Sequence, residues 1–329
     1  MTVSRVLSEP ELVLPTTRAT VLKAIEDLGY VPDRGAGSLS TRRTGFIGLV
    51  LPTLTNANFS AVAHGLTDAL REHGFQLLIA YTDYDLEEEQ RQLANLFARR
   101  PQAILVTGMA HRRAAARMLM TADVPVIELA DLSGMPIQHA VGFSNYKVGQ
   151  VAAQHLLARG FTRIGAIASR EEQGRGDHRG EQRMRGFEDA LQAQGHDTGL
   201  VLRHGGTPVS FRHGAIAVGM LLDKAPDLEA VFAVSDLSAV GVIMECQRRG
   251  LAVPQDLSVI GFGDFEIGRI VNPPLTTIGV DFHQLGMRAG ALLLDLLAGE
   301  NGEEPHIVDV GTMLIERRSV RDAAAERRS

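Results

Sequence analysis

Arg179 and Arg183 are the side chains whose type and spacing point most directly to a chemical role. They stand four residues apart in a helix-like stretch, so on a helix both guanidinium groups share one face. Guanidinium groups hold carboxylates through paired, charge-assisted hydrogen bonds, so two of them at one cleft would suit an anionic ligand. The alternative is a solvated basic face balanced by the nearby acids Glu181 and Glu188.

Sequence patterns that mark catalytic or metal sites are missing. The chain has no G-x-S-x-G, H-E-x-x-H, C-x-x-C or P-loop pattern, and its 11 histidines are scattered without a pair at metal-binding spacing. An acidic run at 85–90 opens a predicted helix, where negative charge suits the helix dipole, and we interpret it as a solvated face. We therefore expect neither an enzyme nor a bound cofactor or metal.

Length and composition describe an ordinary globular chain. Its 329 residues predict about two domains at the usual ~150 residues each. The net charge of −6 excludes a chain that is basic throughout, so any DNA binding is local.

Cys246 is the only cysteine, which excludes an internal disulfide and fits a reducing cytoplasm; we expect it in the core. No apolar run reaches the ~18 residues of a membrane span, and charges at Arg5, Glu9 and Glu11 interrupt any signal peptide, so we expect a cytoplasmic protein.

From Gly45 onward, short apolar runs alternate with amphipathic helical stretches. This alternation predicts parallel sheets that are covered on both faces and joined by right-handed crossovers. The units are too many for one sheet, and the series restarts near Ala140–Phe143. We therefore predict an α/β fold of two doubly wound lobes with a ligand cleft at the strand carboxyl ends. The predicted strands are Phe46–Leu51, Gln76–Tyr81, Ala103–Thr107, Val126–Leu129, Ile164–Ala168, Ala230–Val234 and Ser258–Phe262, and the predicted helices include Phe59–His73, Glu87–Arg99, Val148–Arg159, Met184–Gln194 and Leu237–Arg249.

Residues 1–43 differ from the rest of the chain. Thr2–Leu7 is short and helical, Pro15–Gly29 carries apolar residues at helical spacing, and 33–43 is a polar, glycine-containing linker. Six basic and five acidic residues give this segment a charge of only +1. We predict a small all-α segment at 1–43, a two-lobed domain at 44–320 and a tail at 321–329.

The order of several short motifs resembles that of the lactose-repressor (LacI) family over nearly the whole chain. Any one motif could arise by chance, but their order and spacing together are specific. The motifs are Thr2-Val3-Ser4-Arg5-Val6-Leu7, Ala24-Ile25-Glu26-Asp27-Leu28-Gly29-Tyr30-Val31-Pro32, Ser235-Asp236-Leu237-Ser238-Ala239-Val240-Gly241, Val253-Pro254-Gln255-Asp256, Ile260-Gly261-Phe262 and Pro274-Leu275-Thr276-Thr277-Ile278. The gluconate-repressor branch is the most similar, on Leu51-Pro52-Thr53-Leu54-Thr55-Asn56, Val126-Ile127-Glu128-Leu129 and Glu245-Cys246-Gln247-Arg248-Arg249-Gly250-Leu251.

The resemblance implies that residues 1–43 are a helix-turn-helix headpiece and hinge that bind operator DNA. Thr2, Ser4 and Arg5 would lie in the recognition helix, with Arg5 at a guanine edge and Ser4 at a phosphate. Leu39 would wedge into the minor groove from a hinge helix. The alternative for this segment is an ordinary helix capped by Thr2. Because the motif begins at the recognition helix, we expect the headpiece to lack its first helix, with Met1 an internal methionine or a truncated start.

The resemblance also places a small effector between the two lobes. Instead of contacting the effector, Phe59 could be an aromatic residue of the core, and Asn58 could cap a helix. Gly263 stands where many family members carry an acid that binds sugar hydroxyls, and this departure suits an anionic ligand. The effector residues implied are Asn58, Phe59, Arg179, Arg183, Ser235, Asp236 and Asp264.

The implied function is a homodimeric repressor of carbohydrate catabolism, controlled by a sugar acid such as gluconate. Its expected partners are operator DNA, the sugar acid and a second copy of the chain, with no membrane. Two other classes stay open at this point. One is a sugar-binding protein without DNA function; the other is a Rossmann-type enzyme, although Leu51-Pro52-Thr53 stands where such an enzyme carries its glycine-rich loop.

Overall fold

The computed structural model describes residues 3, 5–6, 10–30, 44–299 and 304–326. It divides into two compact units, Met1–Thr44 and Gly45–Ser329. In the first unit, helix α1 (Pro15–Leu28) begins with proline in its first turn and ends at Gly29, whose φ of +58° closes the helix. A 3₁₀ turn at Pro10–Leu12 precedes it.

The second unit contains two sheets of six strands among its described residues. In the first sheet the strand order is β11-β5-β4-β3-β1-β2, and every pair is parallel. Its strands are β1 (Phe46–Leu51), β2 (Gln76–Tyr81), β3 (Ala103–Thr107), β4 (Val126–Leu129), β5 (His139–Gly142) and β11 (Ile307–Asp309).

The second sheet repeats this order as β12-β10-β9-β8-β6-β7. Its pairs are parallel except for β10 with β12, which is antiparallel. The strands are β6 (Ile164–Ala168), β7 (Val201–Arg203), β8 (Ala230–Ala233), β9 (Ser258–Phe262), β10 (Thr276–Gly279) and β12 (Met313–Ile315). Two mostly parallel sheets confirm the predicted fold class.

Helices pack on these sheets, and three pairs of helices lie in close contact: α2 with α10, α5 with α6, and α7 with α8. Their bounds are α2 (Ala57–Leu70), α3 (Leu86–Phe97), α4 (Arg113–Met120), α5 (Asn145–Ala158), α6 (His178–Ala193), α7 (Phe211–Lys224), α8 (Asp236–Arg248), α9 (Glu266–Ile270), α10 (Phe282–Ala298) and α11 (Ala323–Glu326). Helix α6 begins six residues before the predicted start at Met184, which brings Arg179 onto the same helix as Arg183.

The chain passes between the lobes three times. The restart predicted at Ala140–Phe143 was misplaced, because β5 still pairs with β4 in the first sheet and the second sheet begins at β6. The first crossing follows β5, since α5 packs against α6, β8 and β10. Helix α10 then returns to pack on α2, and the chain crosses again between β11 and β12. These last two strands have three residues each, too short for a recognisable pattern.

The central strands form the core. Every residue of β3, β4, β6, β8 and β9 is buried, as predicted for strands covered on both faces. Cys246 is fully buried on α8, as predicted. Among the described residues, no helix has the length and apolar character needed to cross a membrane.

Candidate ligand site between the lobes

A cavity of about 180 Å³ lies between the lobes and takes its walls from both. Strand order explains its position. In each sheet successive strands are added first on one side of the first strand and then on the other, which gives the orders β2-β1-β3 and β7-β6-β8. Such switch points open a crevice at the carboxyl ends of the strands. The cavity is lined there by Thr55, Asn56, Asn58, Phe59, Tyr84, Ala130, Phe143, Asn145, Asp177, Arg179, Arg183, Pro208, Val209, Ser210, Val234, Ser235, Leu237, Phe262, Phe265 and Phe282.

Arg183 is a buried charged group in the cavity wall. It is only 6% exposed, and its Nη1 donates to Asn145 Oδ1 at 2.5 Å while its Nη2 donates to Asp177 Oδ2 at 3.3 Å. The guanidinium carbon stands 4.3 Å from the centroid of the Phe262 ring. Its Nε has no hydrogen-bond partner among the described residues. The side chain is therefore fixed in place and retains one buried donor.

Asp177 is a cavity residue that the sequence analysis missed. Burial alone disfavours its ionised form, but the charges of Arg183 and Arg179 outweigh burial and hold its pKa below the ordinary value. The carboxyl group therefore carries a negative charge at neutral pH. Its Oδ1 has no hydrogen-bond partner in the described structure, since Arg179 Nη2 stands 3.8 Å away.

Arg179 connects the two lobes. Its Nη1 donates to the Thr107 carbonyl at the end of β3 with a distance of 3.3 Å, and its guanidinium carbon stands 5.3 Å from the centroid of the Phe59 ring. Burial raises the pKa of Tyr84 above its ordinary value, so this phenol stays neutral. Two arginines and one aspartate therefore leave the cavity lining with one net positive charge.

One side of the cavity is aromatic. Phe59 is 6% exposed and lines the cavity, so it is at once a buried aromatic residue and a wall of the site. The Phe143 ring centroid lies 5.8 Å from that of Phe262 and 5.9 Å from that of Phe282. These contacts form an apolar surface against which the carbon face of a ligand can pack.

The polar lining groups are divided between the lobes. Asn56, rather than Asn58, caps α2, because the Asn58 amide nitrogen donates to Asn56 Oδ1 at 2.9 Å. The Asn58 side chain makes no hydrogen bond to another described residue and lines the cavity. Ser235 lines it from the second lobe, where its Oγ accepts from the Leu237 amide at the start of α8.

The structure places Asp236 outside the cavity lining. It is fully buried, its Oδ1 accepts from Thr277 Oγ1 at 2.6 Å, and its Oδ2 accepts from the Phe265 amide at 2.9 Å. Burial raises the pKa of this carboxyl to about 7. Asp236 thus anchors the segment that carries Phe265, a lining residue.

Asp264 also lies outside the cavity lining, paired with Arg269 at 2.6 Å and Arg317 at 2.5 Å. Its neighbour Gly263 adopts a φ of +124°, and a Cβ built there would stand 2.6 Å from the Phe265 ring and 2.8 Å from Asn58 Nδ2. A larger side chain at 263 is therefore strained and crowded. This chain cannot present an acid to the cavity at Gly263 without a local shift.

The residues expected to bind DNA are described only in part. Val3, Arg5 and Val6 are helical, with Val3 and Arg5 exposed and Val6 3% exposed. The other three predicted DNA contacts, Thr2, Ser4 and Leu39, lie outside the described residues.

Comparison with known proteins covers both units. Residues 1–33 match the family described as bacterial regulatory proteins, lacI family, and residues 153–320 match a periplasmic binding protein-like domain. The HTH-type transcriptional regulator GntR of Escherichia coli K12 is 31% identical over 95% of this chain and 92% of its own length. A crystal structure of a LacI-family transcriptional regulator from Silicibacter pomeroyi aligns with a TM-score of 0.89 and 28% identity, covering 98% of this chain and 95% of that one. A complex of the transcriptional regulator CelR with cellobiose aligns with a TM-score of 0.72 and 30% identity, covering 96% and 94%.

The matched segments include the amino-terminal segment and most of the second lobe, and the relatives align along nearly the whole chain. These relatives are transcriptional regulators rather than enzymes. On this sequence and structural likeness, the chain belongs to the LacI family of bacterial transcriptional regulators.

Proposed function

We propose that this chain is a DNA-binding repressor controlled by a sugar acid with one carboxylate, such as gluconate, bound between its lobes. The observation that carries the proposal is the single net positive charge of the cavity, centred on Arg179 and Arg183. A single carboxylate balances that charge and can accept charge-assisted hydrogen bonds from guanidinium groups. A neutral sugar leaves the charge uncompensated, which is unfavourable in a buried site.

The remaining groups of the cavity suit the polyol part of such a ligand. Asn58 from the first lobe and Ser235 from the second can exchange hydrogen bonds with hydroxyl groups. The aromatic side formed by Phe59 and Phe262 can pack against the carbon chain. The ligand thus contacts both lobes at once.

A ligand that bridges the lobes changes the balance between lobe arrangements, because it binds one arrangement better than another. Several contacts join the lobes beside the cavity, among them Arg179 with the Thr107 carbonyl, the Gly176 amide with the Tyr84 carbonyl at 3.1 Å, and the ion pair of Arg175 with Asp85 at 3.7 Å. In a dimer, a change at this boundary alters the spacing of the two headpieces and with it the affinity for a two-fold operator.

The functional unit is a homodimer, since a two-fold operator requires two headpieces. Strand β2 lies at the edge of its sheet and exposes Ile79 (43%) and Tyr81 (49%). An exposed edge with large apolar side chains favours contact with another chain.

Sedimentation at micromolar concentration is expected to show a dimer, and the substitution Ile79→Asp is expected to shift the equilibrium toward monomer. Met135→Asp, at a 78% exposed position off this edge, serves as control. A wild-type chain that sediments only as monomer contradicts the dimer.

Selection of genomic DNA fragments from the source organism by the purified chain tests the DNA-binding part. We expect enrichment of two-fold sites with half-sites one helical turn of about 10 base pairs, or a multiple, apart. Gluconate should change their affinity about fivefold or more, while glucose does not. Arg5→Ala should lose sequence selection, whereas Arg212→Ala, exposed on α7, should keep it. No enrichment together with intact gluconate binding would instead make this chain a sugar-acid-binding module.

A further inference from the structure

His64, Asp68 and His283 form a compact cluster on the surface where α2 meets α10, outside the cavity. Asp68 Oδ2 stands 3.5 Å from His64 Nε2 and 3.0 Å from His283 Nε2. One ligand atom from each residue lies within 4.8 Å of the others. His64 and His283 have side chains that are 68% and 44% exposed, so the cluster is open to ions from solvent.

Close packing of the two helix backbones fixes this geometry. A Cβ built on Gly65 would stand 2.0 Å from the His283 carbonyl oxygen, and one on Gly286 would stand 2.2 Å from the Val62 carbonyl oxygen. Only glycine permits the helices to approach so closely. The cluster therefore sits on rigid elements held in contact, which limits the movement needed to bind an ion.

The donor set matches a borderline transition metal rather than a hard cation. Two imidazole nitrogens and one carboxylate oxygen are ligands that Zn²⁺ takes at 2.0–2.2 Å, whereas Ca²⁺ and Mg²⁺ prefer oxygen ligands alone. Tetrahedral coordination at those bond lengths separates neighbouring ligands by about 3.3 Å. The two distances from Asp68 Oδ2 bracket that value.

Arg71 supports the same arrangement. Its Nη2 donates to Asp68 Oδ1 at 2.6 Å, so Oδ2 is left facing the two histidines. A partner on the outer oxygen of a ligating carboxylate orients it and maintains its charge.

We propose that His64, Asp68 and His283 form a binding site for a divalent transition-metal ion of the zinc class, with the remaining coordination filled by water. The ion joins α2 of the first lobe to the start of α10, where the chain has just crossed from the second sheet. The metal site lies outside the cavity. A bound ion stabilises this crossing and does not contact the effector.

Metal-stripped full-length chain tests the site, with Zn²⁺ titrated against a chromophoric chelator and Co²⁺ binding followed by visible absorption. We expect one ion per chain and an intense Co²⁺ spectrum of tetrahedral type. His283→Gln and Asp68→Asn should each lower the affinity for Zn²⁺ by about tenfold or more. His73→Gln, an exposed histidine just beyond α2 and outside the cluster, should not change it.

The double variant His64→Gln/His283→Gln provides the decisive comparison, with circular dichroism to show that it is folded. If the wild-type chain binds Zn²⁺ no more tightly than this folded double variant, the site does not exist. A Co²⁺ spectrum equal to that of the hydrated ion overturns the proposal in the same way.

Discussion

Replacement of Arg183 by methionine is expected to weaken gluconate binding by about 30-fold or more. Methionine keeps an unbranched side chain beside Phe262 but removes the positive charge and the buried Nε donor. Loss of one partner of a buried, hydrogen-bonded charge pair costs about 2 kcal/mol or more, and each 1.4 kcal/mol is a factor of ten in affinity. Calorimetric titration of both proteins measures the difference.

Arg185→Met is the matched control for this prediction. Arg185 lies on the same helix, but its side chain is 62% exposed and pairs only with Glu181 at 3.4 Å in the described structure. Its replacement should leave gluconate affinity unchanged. Because Arg183→Met also deprives Asp177 of a partner, Arg179→Met, which keeps the pair of Arg183 with Asp177, is measured beside it. Unchanged affinity in both folded variants contradicts the assignment of the carboxylate to this pair.

His111→Gln is expected to destabilise the chain by about 3–5 kcal/mol at neutral pH. The His111 side chain is 2% exposed and lies between two buried acids, with Nδ1 2.7 Å from Glu89 Oε1 and Nε2 3.2 Å from Glu128 Oε1. Burial opposes a charge on His111, but the hydrogen bonds and charges of both glutamates outweigh burial and raise its pKa to about 9. The imidazolium is therefore present at pH 7, and its removal leaves two buried carboxylates without a cation.

The pH dependence of this loss distinguishes a charge pair from a packing defect. Because the pKa of His111 is higher in the folded chain than in the unfolded chain, its charge stabilises the fold. This contribution to the free energy of unfolding is complete below the unfolded pKa of 6.5 and disappears as pH rises through about 9. The difference in free energy of unfolding between wild type and His111→Gln should thus be largest at pH 6.5 and below, and should shrink as pH rises from 6.5 to about 9. Denaturant unfolding at several pH values measures it, with exposed His73→Gln as control. A difference that is constant across this range would show that His111 is neutral in the folded chain.

Local sequence periodicity was sufficient for most of the fold. The seven predicted strands are present with bounds that agree to within one residue, because buried parallel strands are continuous apolar runs. What local pattern could not show is how the chain passes between lobes. The return of α10 to α2 depends on contacts between residues more than 200 positions apart, such as Asp68 with His283.

The same limit applies to the charged residues. Arg179 and Arg183 could be selected because the family resemblance places them at the effector site and their spacing puts both on one helical face. Asn145, which accepts from Arg183, lies 38 positions away and has no local signal. The acidic run at 85–90 was wrongly interpreted as a wholly solvated face, because Glu89 is buried against His111, 22 positions along the chain.

Asp236 and Asp264 show that a motif does not determine what a side chain contacts. Both were selected as effector ligands on family resemblance, yet the carboxylate of Asp236 is engaged by Thr277 and a backbone amide, and that of Asp264 by two arginines. Asp177, which lines the cavity, stands immediately before α6 and has the sequence character of an ordinary helix cap. Its place beside Arg179 and the buried Arg183 became visible only in the folded chain.

The central claim is that the cavity selects a sugar by its carboxylate, and calorimetric titration of the wild-type chain tests it most directly. Gluconate is compared with sorbitol, which has the same carbon chain without the charge, and with glucose. We predict saturable binding of gluconate at one site per chain and no saturable binding of either neutral compound. Equal binding of gluconate and sorbitol, or binding of glucose alone, would contradict the assignment of a sugar acid to this site.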